Sequence, residues 1–315
     1  MSTVAYEIVD VFTDRPFAGN PLAVVYGADD LATDQMHALA REFNLSETVF
    51  VLPPTGPATY RARIFTPEHE LPFAGHPSVG AAVTSMRRGV IPSGDVVQEC
   101  GAGLLPITVR ESGSATLTGG EPTLGEALDP EPLLAATGLT ADDHEAAGLA
   151  APRSAGCGLS WVLLPVRREA LAHIRVDNAA AEKLGLTAIS VFSWSGGSWS
   201  GGLGSGGLGS GGSGFGGSGF GGEAHARVLC PGSSVAEDPA TGSAALGLGV
   251  WLVGAGLLPA DGTASYRIHQ GIEMKRPSLL DCTVTATAGV ATSATVTGHV
   301  CPIAKGEIAI PPFIG

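Results

Sequence analysis

Apolar and polar positions along the first 120 residues predict alternating strands and helices. Short runs rich in β-branched and aromatic residues, bounded by turn formers, predict strands at 5–12, 22–26, 48–52, 61–65, 96–98, 104–109 and 115–118. Apolar residues near helical spacing predict one helix over 31–43 and another over 77–87. This part of the chain therefore mixes strands with helices.

The rest of the chain has the same character. Strands are predicted at 160–166, 188–194, 224–229, 265–269, 280–286 and 294–298. One long helix is predicted over 243–254, and a stretch rich in Pro, Ala and Glu over 121–151 carries helix signals. We predict an α/β (α+β) fold in two halves, residues 1–120 and 121–315, with an insertion at 196–222.

An internal similarity links the two halves. The segment RIFTP (63–67) leads through a loop to GHPSVGAAV (75–83), and RVLCP (227–231) leads through a loop to TGSAALG (241–247). Each combines an arginine, an apolar strand, a proline, a loop, a glycine and an apolar helix. Such pairs also arise by chance, so both interpretations stay open. If the halves are duplicates, their two loop-to-helix turns face each other across a cleft.

Composition and charge narrow the function. The 315 residues are 44% apolar and 15% charged, which excludes global disorder. A net charge of −13 disfavours nucleic-acid and anionic-membrane partners, because both bind cationic surfaces. Five scattered cysteines without a CxxC pair, and an N-terminus without a signal-peptide pattern, predict reduced thiols and a cytoplasmic protein.

Two segments depart from an ordinary soluble composition. The run 239–260 is uncharged, but its glycines dilute the apolar residues, so it predicts a buried helix rather than a membrane span. Residues 196–222 hold 16 of the 46 glycines. This composition predicts a mobile hairpin tip, with a packed polyglycine layer as the alternative, and a lid over the site is a further hypothesis.

Two helices begin at glycine turns that could seat an anion. The turns lie at 75–78 and 240–243, where free backbone N–H groups and the positive end of the helix dipole favour a carboxylate or phosphate. No phosphate-binding loop and no dinucleotide-binding glycine motif is present. The eight histidines show no HxH or HExxH pattern. We therefore predict no cofactor and no metal, and chemistry carried by acids and bases alone.

Three side chains are candidates for this chemistry. Glu47 stands between a predicted helix and an apolar strand, where burial can raise its pKa toward neutrality; alternatively it is a surface or turn-capping residue. Asp238 precedes Ser243 by five residues and could orient a substrate hydroxyl or amine, or it forms an Asp-Pro turn. His76 could face the site or donate within its loop.

Five motifs together identify a family. They are DVFTDRPFAGNPLA (10–23), NLSETVFV (44–51), FTPEHELPFAGHPSVG (65–80), EDPATGSA (237–244) and QGIEMKRPS (270–278). In this order they resemble the PhzF-like phenazine-biosynthesis isomerases. The resemblance implies a diaminopimelate-epimerase-like fold, in which each half is a mixed sheet wrapped around a central helix and the active site lies between the halves. It also implies a homodimer.

The resemblance implies roles for particular residues. Glu47 occupies the position of a glutamate that shuttles a proton between two carbons of the substrate. His76 and Asp238 match residues that contact the substrate's polar groups. Residues that hold its carboxylate are matched by Gly75, Gly242 and Ser243.

Several positions depart from the family pattern. Lys275 stands where a glycine is common, and Cys230 and Leu229 replace other residues before Pro231. Epimerases of this fold that use two thiols carry a cysteine at each loop-to-helix turn, and this chain has none there. The leading hypothesis is a cofactor-independent isomerase acting on a small carboxylate, in secondary metabolism. An amino-acid epimerase or racemase and a non-catalytic binding protein of the same fold remain alternatives.

Overall fold

Each half of the molecule is a β-sheet rolled around one buried helix. The computed structural model describes residues 2–145, 151–196, 221–233 and 235–312. The first half contains α1 (Thr33–Phe43), α2 (Gly75–Arg87), β1 (Thr3–Val11), β2 (Asn20–Tyr26), β3 (Glu47–Leu52), β4 (Tyr60–Phe65), β5 (Glu70–Leu71), β6 (Gly94–Cys100), β7 (Gly103–Arg110) and β8 (Ser114–Thr118). The second half contains α3 (Pro130–Ala136), α4 (Asn178–Lys183), α5 (Gly242–Gly254), β9 (Pro122–Ala127), β10 (Arg153–Cys157), β11 (Leu159–Pro165), β12 (Ile189–Gly196), β13 (Gly222–Leu229), β14 (Glu237–Asp238), β15 (Gly262–Gln270), β16 (Ser278–Thr287) and β17 (Val290–Ala309).

The strands of the first half close into a barrel. Its pairing order is β1, β2, β3, β4, β6, β7, β8 and β17, and β17 returns to β1. The β2–β3 and β4–β6 pairs are parallel, and the other pairs are antiparallel. Because the barrel is closed, each strand of this ring is hydrogen-bonded to a neighbouring strand on both sides.

The second half repeats this pairing pattern. From β10 to β17 the successive pairs are antiparallel, parallel, antiparallel, parallel, antiparallel and antiparallel, which is the order from β1 to β8. The ring nearly closes where the Gly119 N–H, just before β9, donates to the carbonyl of Ala294 in β17 (3.0 Å). The halves are therefore duplicates in topology, and the fold predicted from the sequence is confirmed.

The helices α2 and α5 form the centres of the two barrels. Every residue from 242 to 253 is buried, which confirms the buried helix predicted in the uncharged run. Small residues let each helix approach the surrounding strands. A methyl group on Gly80 would lie 2.3 Å from Cδ2 of Leu22, and one on Gly247 would lie 2.6 Å from the carbonyl oxygen of Ala155.

The last strand is much longer than predicted. Its residues 290–297 pair with β16, and its residues 300–309 pair with β1 across the molecule. Pro302 and Gly306 disfavour a strand in local terms, but pairing with the distant strand β1 overrides this preference, and the register of the pairing shifts next to Pro302, which has no N–H to donate. Part of the region 121–315 thus completes the first barrel, and the boundary at residue 120 stays a prediction.

Two further predictions concern the glycine-rich insertion and a membrane-spanning helix. Around the insertion, β12 and β13 pair antiparallel as far as Gly196 opposite Gly222. The predicted hairpin tip and lid between these strands, at 197–220, lie outside the described residues. Among the residues that the structure does describe, no helix has the length and apolar character needed to cross a membrane.

Candidate active site

The two central helices meet end to end at their N-termini. A methyl group on Gly75 would lie 3.4 Å from the Cα of Gly242 and 3.5 Å from the backbone nitrogen of Ser243. A cleft of about 300 Å³ opens beside this contact. Its lining includes all six residues predicted from the sequence, which are Glu47, Gly75, His76, Asp238, Gly242 and Ser243. The pairing of strands in the two barrels thus brings the motifs of both halves together.

Glu47 is the first residue of β3 and faces the cleft. Its side chain is 17% exposed, and its Oε2 has no hydrogen-bond partner among the described residues. Burial raises the pKa of Glu47 to about 7, because a carboxylate loses solvation in this apolar setting. The surface interpretation of Glu47 is therefore wrong. At neutral pH both its protonated and its ionised form are populated.

His76 lies next to Glu47 in the first turn of α2. Its Nε2 is 3.5 Å from Oε2 of Glu47, and that nitrogen has no hydrogen-bond partner within the described ranges. Burial lowers the pKa of His76 to about 4, although the charge of Asp238 opposes the shift. At neutral pH the ring is uncharged, so it can exchange hydrogen bonds without adding a cation to the cleft.

Asp238 comes from the second half and accepts two hydrogen bonds from side chains. Nδ2 of Asn20 donates to its Oδ1 (2.7 Å), and the hydroxyl of Thr241 donates to its Oδ2 (2.5 Å). Burial, followed by the nearby charge of Glu47, raises the pKa of Asp238 above its usual range. Asp238 ends the short strand β14 and Pro239 forms a bend after it, and the Asp238 side chain lines the cleft between the halves.

Three supporting residues were not identified from the sequence. Asn20 contacts Asp238 and lies 3.2 Å from Nδ1 of His76, so it connects the two halves. Gln270 donates to the Thr241 hydroxyl (3.0 Å) and to the carbonyl of Asp238 (2.7 Å). Asn20, Thr241 and Gln270 all lie within the family motifs, and this position in the motifs could have indicated a role at the site. Their roles depend on contacts between residues far apart in the chain.

Ser243 has a defined hydrogen-bond direction. The indole N–H of Trp161 donates to its Oγ (3.1 Å), and an indole nitrogen cannot accept. The Ser243 hydroxyl hydrogen is therefore free for another partner. Apolar side chains also line the cleft; they are Leu71, Phe73, Leu159, Trp161 and Val235.

The other titratable side chains that line the cleft are Glu68, His69 and Cys230. Burial together with the charges of Asp238 and Glu47 raises the pKa of the Cys230 thiol to about 12. This cysteine is therefore an uncharged thiol at neutral pH. Among the described residues that line the cleft there is no lysine or arginine. Nor do three His, Cys, Asp or Glu side chains in the described ranges lie close enough to hold a metal ion.

Sequence comparisons find relatives that align with nearly the whole chain. A family model for phenazine biosynthesis-like proteins matches residues 9–198 and 215–306. An uncharacterized isomerase of Mesorhizobium japonicum is 38% identical over 325 residues, covering 98% of this chain and 100% of that protein. A trans-2,3-dihydro-3-hydroxyanthranilate isomerase of Pseudomonas fluorescens is 30% identical over 318 residues, covering 97% of this chain and 99% of that protein.

Solved structures agree with the sequence comparison. A PhzF-family phenazine biosynthesis protein of Bacillus anthracis superposes with a TM-score of 0.81 at 23% identity, covering 98% of this chain and 100% of that one. A predicted epimerase of Pseudomonas aeruginosa gives 0.74 at 32% identity, with the same coverage. A probable proline racemase of Agrobacterium radiobacter shares the fold at 0.60 and 15% identity, covering 99% of this chain and 94% of that one. The protein is an isomerase, and its chain belongs to the phenazine biosynthesis-like (PhzC-PhzF) family.

Proposed function

We propose that this isomerase moves a proton between two carbons of a small carboxylate-bearing substrate and that Glu47 is its catalytic acid and base. One observation carries the proposal. In the cleft between the halves, the buried carboxyl of Glu47 has an oxygen without a hydrogen-bond partner among the described residues and a pKa near 7. A general base with such a pKa can remove a proton and return it at neutral pH.

The proposed reaction needs only one proton-carrying group. The Glu47 carboxylate takes a proton from an activated carbon, so that a C–H bond breaks, an O–H bond forms and the electron pair stays on the substrate. The substrate's double bonds shift, and Glu47 returns the proton to a second carbon. His76 and Asp238, which flank Glu47, contact the polar groups of the substrate. The overall reaction is balanced without a redox partner.

The two helix N-termini are the proposed seat of the substrate carboxylate. They supply backbone N–H groups and positive dipole ends at Gly75 and Gly242. The free hydrogen of the Ser243 hydroxyl adds a side-chain donor beside them. Since the described lining holds no lysine or arginine, we assign the carboxylate to these neutral donors.

A cyclic amino-carboxylic acid is the first substrate to test. Relatives at about one-third identity are named for trans-2,3-dihydro-3-hydroxyanthranilate, which is such a compound. The apolar side chains that line the cleft offer surface for a ring. This compound and other small cyclic amino acids should be incubated with the protein in D₂O, and deuterium should be located by NMR and mass spectrometry.

The deciding variant is Glu47→Gln. We expect turnover to fall at least about 10³-fold, because the amide cannot accept the proton. Glu42→Gln, a change of an exposed glutamate in α1, is the matched control and should keep wild-type turnover. Full activity of Glu47→Gln would overturn the proposal. Deuterium confined to an inverted stereocentre would instead identify an epimerase, and binding without conversion would identify a binding protein.

A further inference from the structure

We infer that Gln270 and Thr241 are positioning residues that hold Asp238 as a hydrogen-bond acceptor, so that the proton moved in the reaction resides on Glu47. This inference deepens the proposed function and rests on it for the role of Glu47. It is argued from the direction of each hydrogen bond around Asp238. Neither Gln270 nor Thr241 is needed to touch the reacting carbon.

The orientation of the Gln270 amide is fixed by its neighbours. Gln270 ends β15 and is 1% exposed. The backbone N–H of Thr241 can only donate, so the oxygen of the amide must face it (3.3 Å). The carbonyl of Asp238 can only accept, so the amide nitrogen must face that group (2.7 Å). The same nitrogen then directs its other hydrogen to Oγ1 of Thr241 (3.0 Å).

This orientation favours one direction for the Thr241 hydroxyl. Because its oxygen accepts from Gln270, its hydrogen is available to Oδ2 of Asp238 (2.5 Å). The chain of donors therefore runs in one direction, from Gln270 through Thr241 to Asp238.

The other oxygen of Asp238 is held in the same way. The amide nitrogen of Asn20 donates to Oδ1 (2.7 Å) and to the carbonyl of Ala240 (3.0 Å), its two shortest contacts, and lies farther from Nδ1 of His76 (3.2 Å). A proton on Asp238 would have to displace the Asn20 donor or turn the Thr241 hydroxyl hydrogen away. Displacing a buried donor leaves it without a partner, which costs free energy, so the network favours the carboxylate form.

Burial and the charge of Glu47 act on Asp238 in the opposite direction. Glu47 on β3, His76 on α2 and Cys230 after β13 are the titratable groups that face it. Burial and the Glu47 charge raise the pKa of Asp238, while its bonds from Thr241 and Asn20 lower it. For Glu47 the only hydrogen bond that lowers the pKa in the described structure comes from the Ser46 side chain, and its Oε2 is without a partner there. The contrast in hydrogen bonding separates the roles of the two carboxyls.

The test measures the pKa of Asp238 directly and needs no substrate. Protein labelled with ¹³C at aspartate side-chain carboxyls is titrated by NMR, and the Asp238 signal is assigned by its absence in Asp238→Asn. We expect Thr241→Val to raise the pKa of Asp238 by about 1–2 units, since one charge-assisted hydrogen bond is lost. Thr241→Ser, which keeps the hydroxyl, should leave it unchanged.

Gln270→Met tests whether the Gln270 amide orients the Thr241 hydroxyl toward Asp238. Methionine has a similar size and no charge, and it cannot donate to Thr241. We expect the pKa of Asp238 to rise, but by less than in Thr241→Val, and the double variant should match Thr241→Val alone. If methionine prevents folding, Gln270→Glu provides the second variant, and it should raise this pKa further because it also adds a carboxyl.

The outcomes separate this inference from the proposed function. An Asp238 pKa that stays at its wild-type value in folded Gln270→Met, or in Thr241→Val, overturns the inference even if Glu47→Gln is inactive. A merely structural role would lower the thermal midpoint of these variants without moving the pKa of Asp238. Full turnover by Glu47→Gln would overturn the proposed function whatever the Asp238 titration shows.

Discussion

The units around the two central helices share a frame and differ in chemistry. ELPFAGHPSVGAAV (70–83) and EDPATGSAALGLGV (237–250) align without a gap. The shared positions are Glu70 and Glu237, Pro72 and Pro239, Gly75 and Gly242, Gly80 and Gly247, and Val83 and Val250. In both halves these residues lead from a short strand into the central helix.

The shared glutamates have the same structural partner in each half. Glu70 accepts two hydrogen bonds from Arg63 in β4 (2.7 and 2.6 Å), and Glu237 accepts two from Arg227 in β13 (2.9 and 2.7 Å). These are the arginines of the internal similarity in the sequence. The repeated ion pair ties the short strand to its neighbour and fixes the start of the loop.

The positions that differ carry the chemistry. Leu71 in the first half corresponds to Asp238 in the second, and His76 corresponds to Ser243. The duplicated scaffold thus brings two equivalent helix ends together, while the side chains on them are different. The comparison teaches that residues shared by the halves build the frame, and that the active site is asymmetric because the remaining positions diverged.

The largest expected effect on stability comes from removing the arginine of the ion pair that the two halves share. Side-chain exposures are 12% and 17% for Arg227 and Glu237, against 20% and 38% for Arg63 and Glu70. Arg227→Met should lower the free energy of unfolding by about 2–3 kcal/mol, since it strands a more buried carboxylate. Arg63→Met should cost about 1 kcal/mol. Urea unfolding of both variants measures the difference, and equal losses would contradict the burial argument.

A smaller effect concerns the loss of folding stability caused by burying the Glu47 carboxyl in the site. The pKa of Glu47 is raised from 4.5 to about 7, so stability is lost as pH rises through this window, where the unfolded chain releases a proton that the folded protein retains. Glu47→Gln should therefore be more stable than wild type at pH 8 by about 1–3 kcal/mol, and similar at pH 4. Urea unfolding at the two pH values measures this. A gain at pH 4 as large as that at pH 8 would count against burial of the carboxylate as its cause.

The smallest effect concerns the β15–β16 loop, which spans residues 271–277 and is longer than its first-half counterpart at 101–102. Within this loop Lys275 lies in the left-handed region at φ 59°. Lys275→Gly should raise stability by about 0.5–1 kcal/mol, because glycine adopts this conformation without strain. The matched change Lys305→Gly, in β17, should lower it by about as much. Thermal unfolding checks both, and a loss in Lys275→Gly would refute the strain.

Much of the fold could be predicted from the sequence, because local patterns carry it. Apolar periodicity located the central helices to within about two residues of α2 and α5, a small error for element boundaries. The repeated arginine, proline and glycine indicated the duplication that the pairing of strands confirms. The length of β17 was missed, because its last residues form a strand only through pairing with β1.

For the candidate site, too, the sequence predicted some features, and others depend on tertiary contacts. Motif membership located Glu47, His76 and Asp238, and the structure brings them to one cleft. It did not reveal that Asn20 binds Asp238, which lies 218 residues away. Nor could it give the direction of the Gln270–Thr241–Asp238 hydrogen bonds, which depends on which groups packing leaves as partners.

Local patterns in the sequence are enough to predict most strands, the buried helices, the family and the residues that can carry acid–base chemistry. These depend on side-chain periodicity, turn formers and residue type, which are properties of short segments. The desolvation of Glu47, the donors from both halves that hold Asp238 and the strand β17 shared by the two barrels are visible only in the folded protein. Burial and hydrogen-bond direction are set by groups distant in the chain, and these groups meet only when the two halves have folded together.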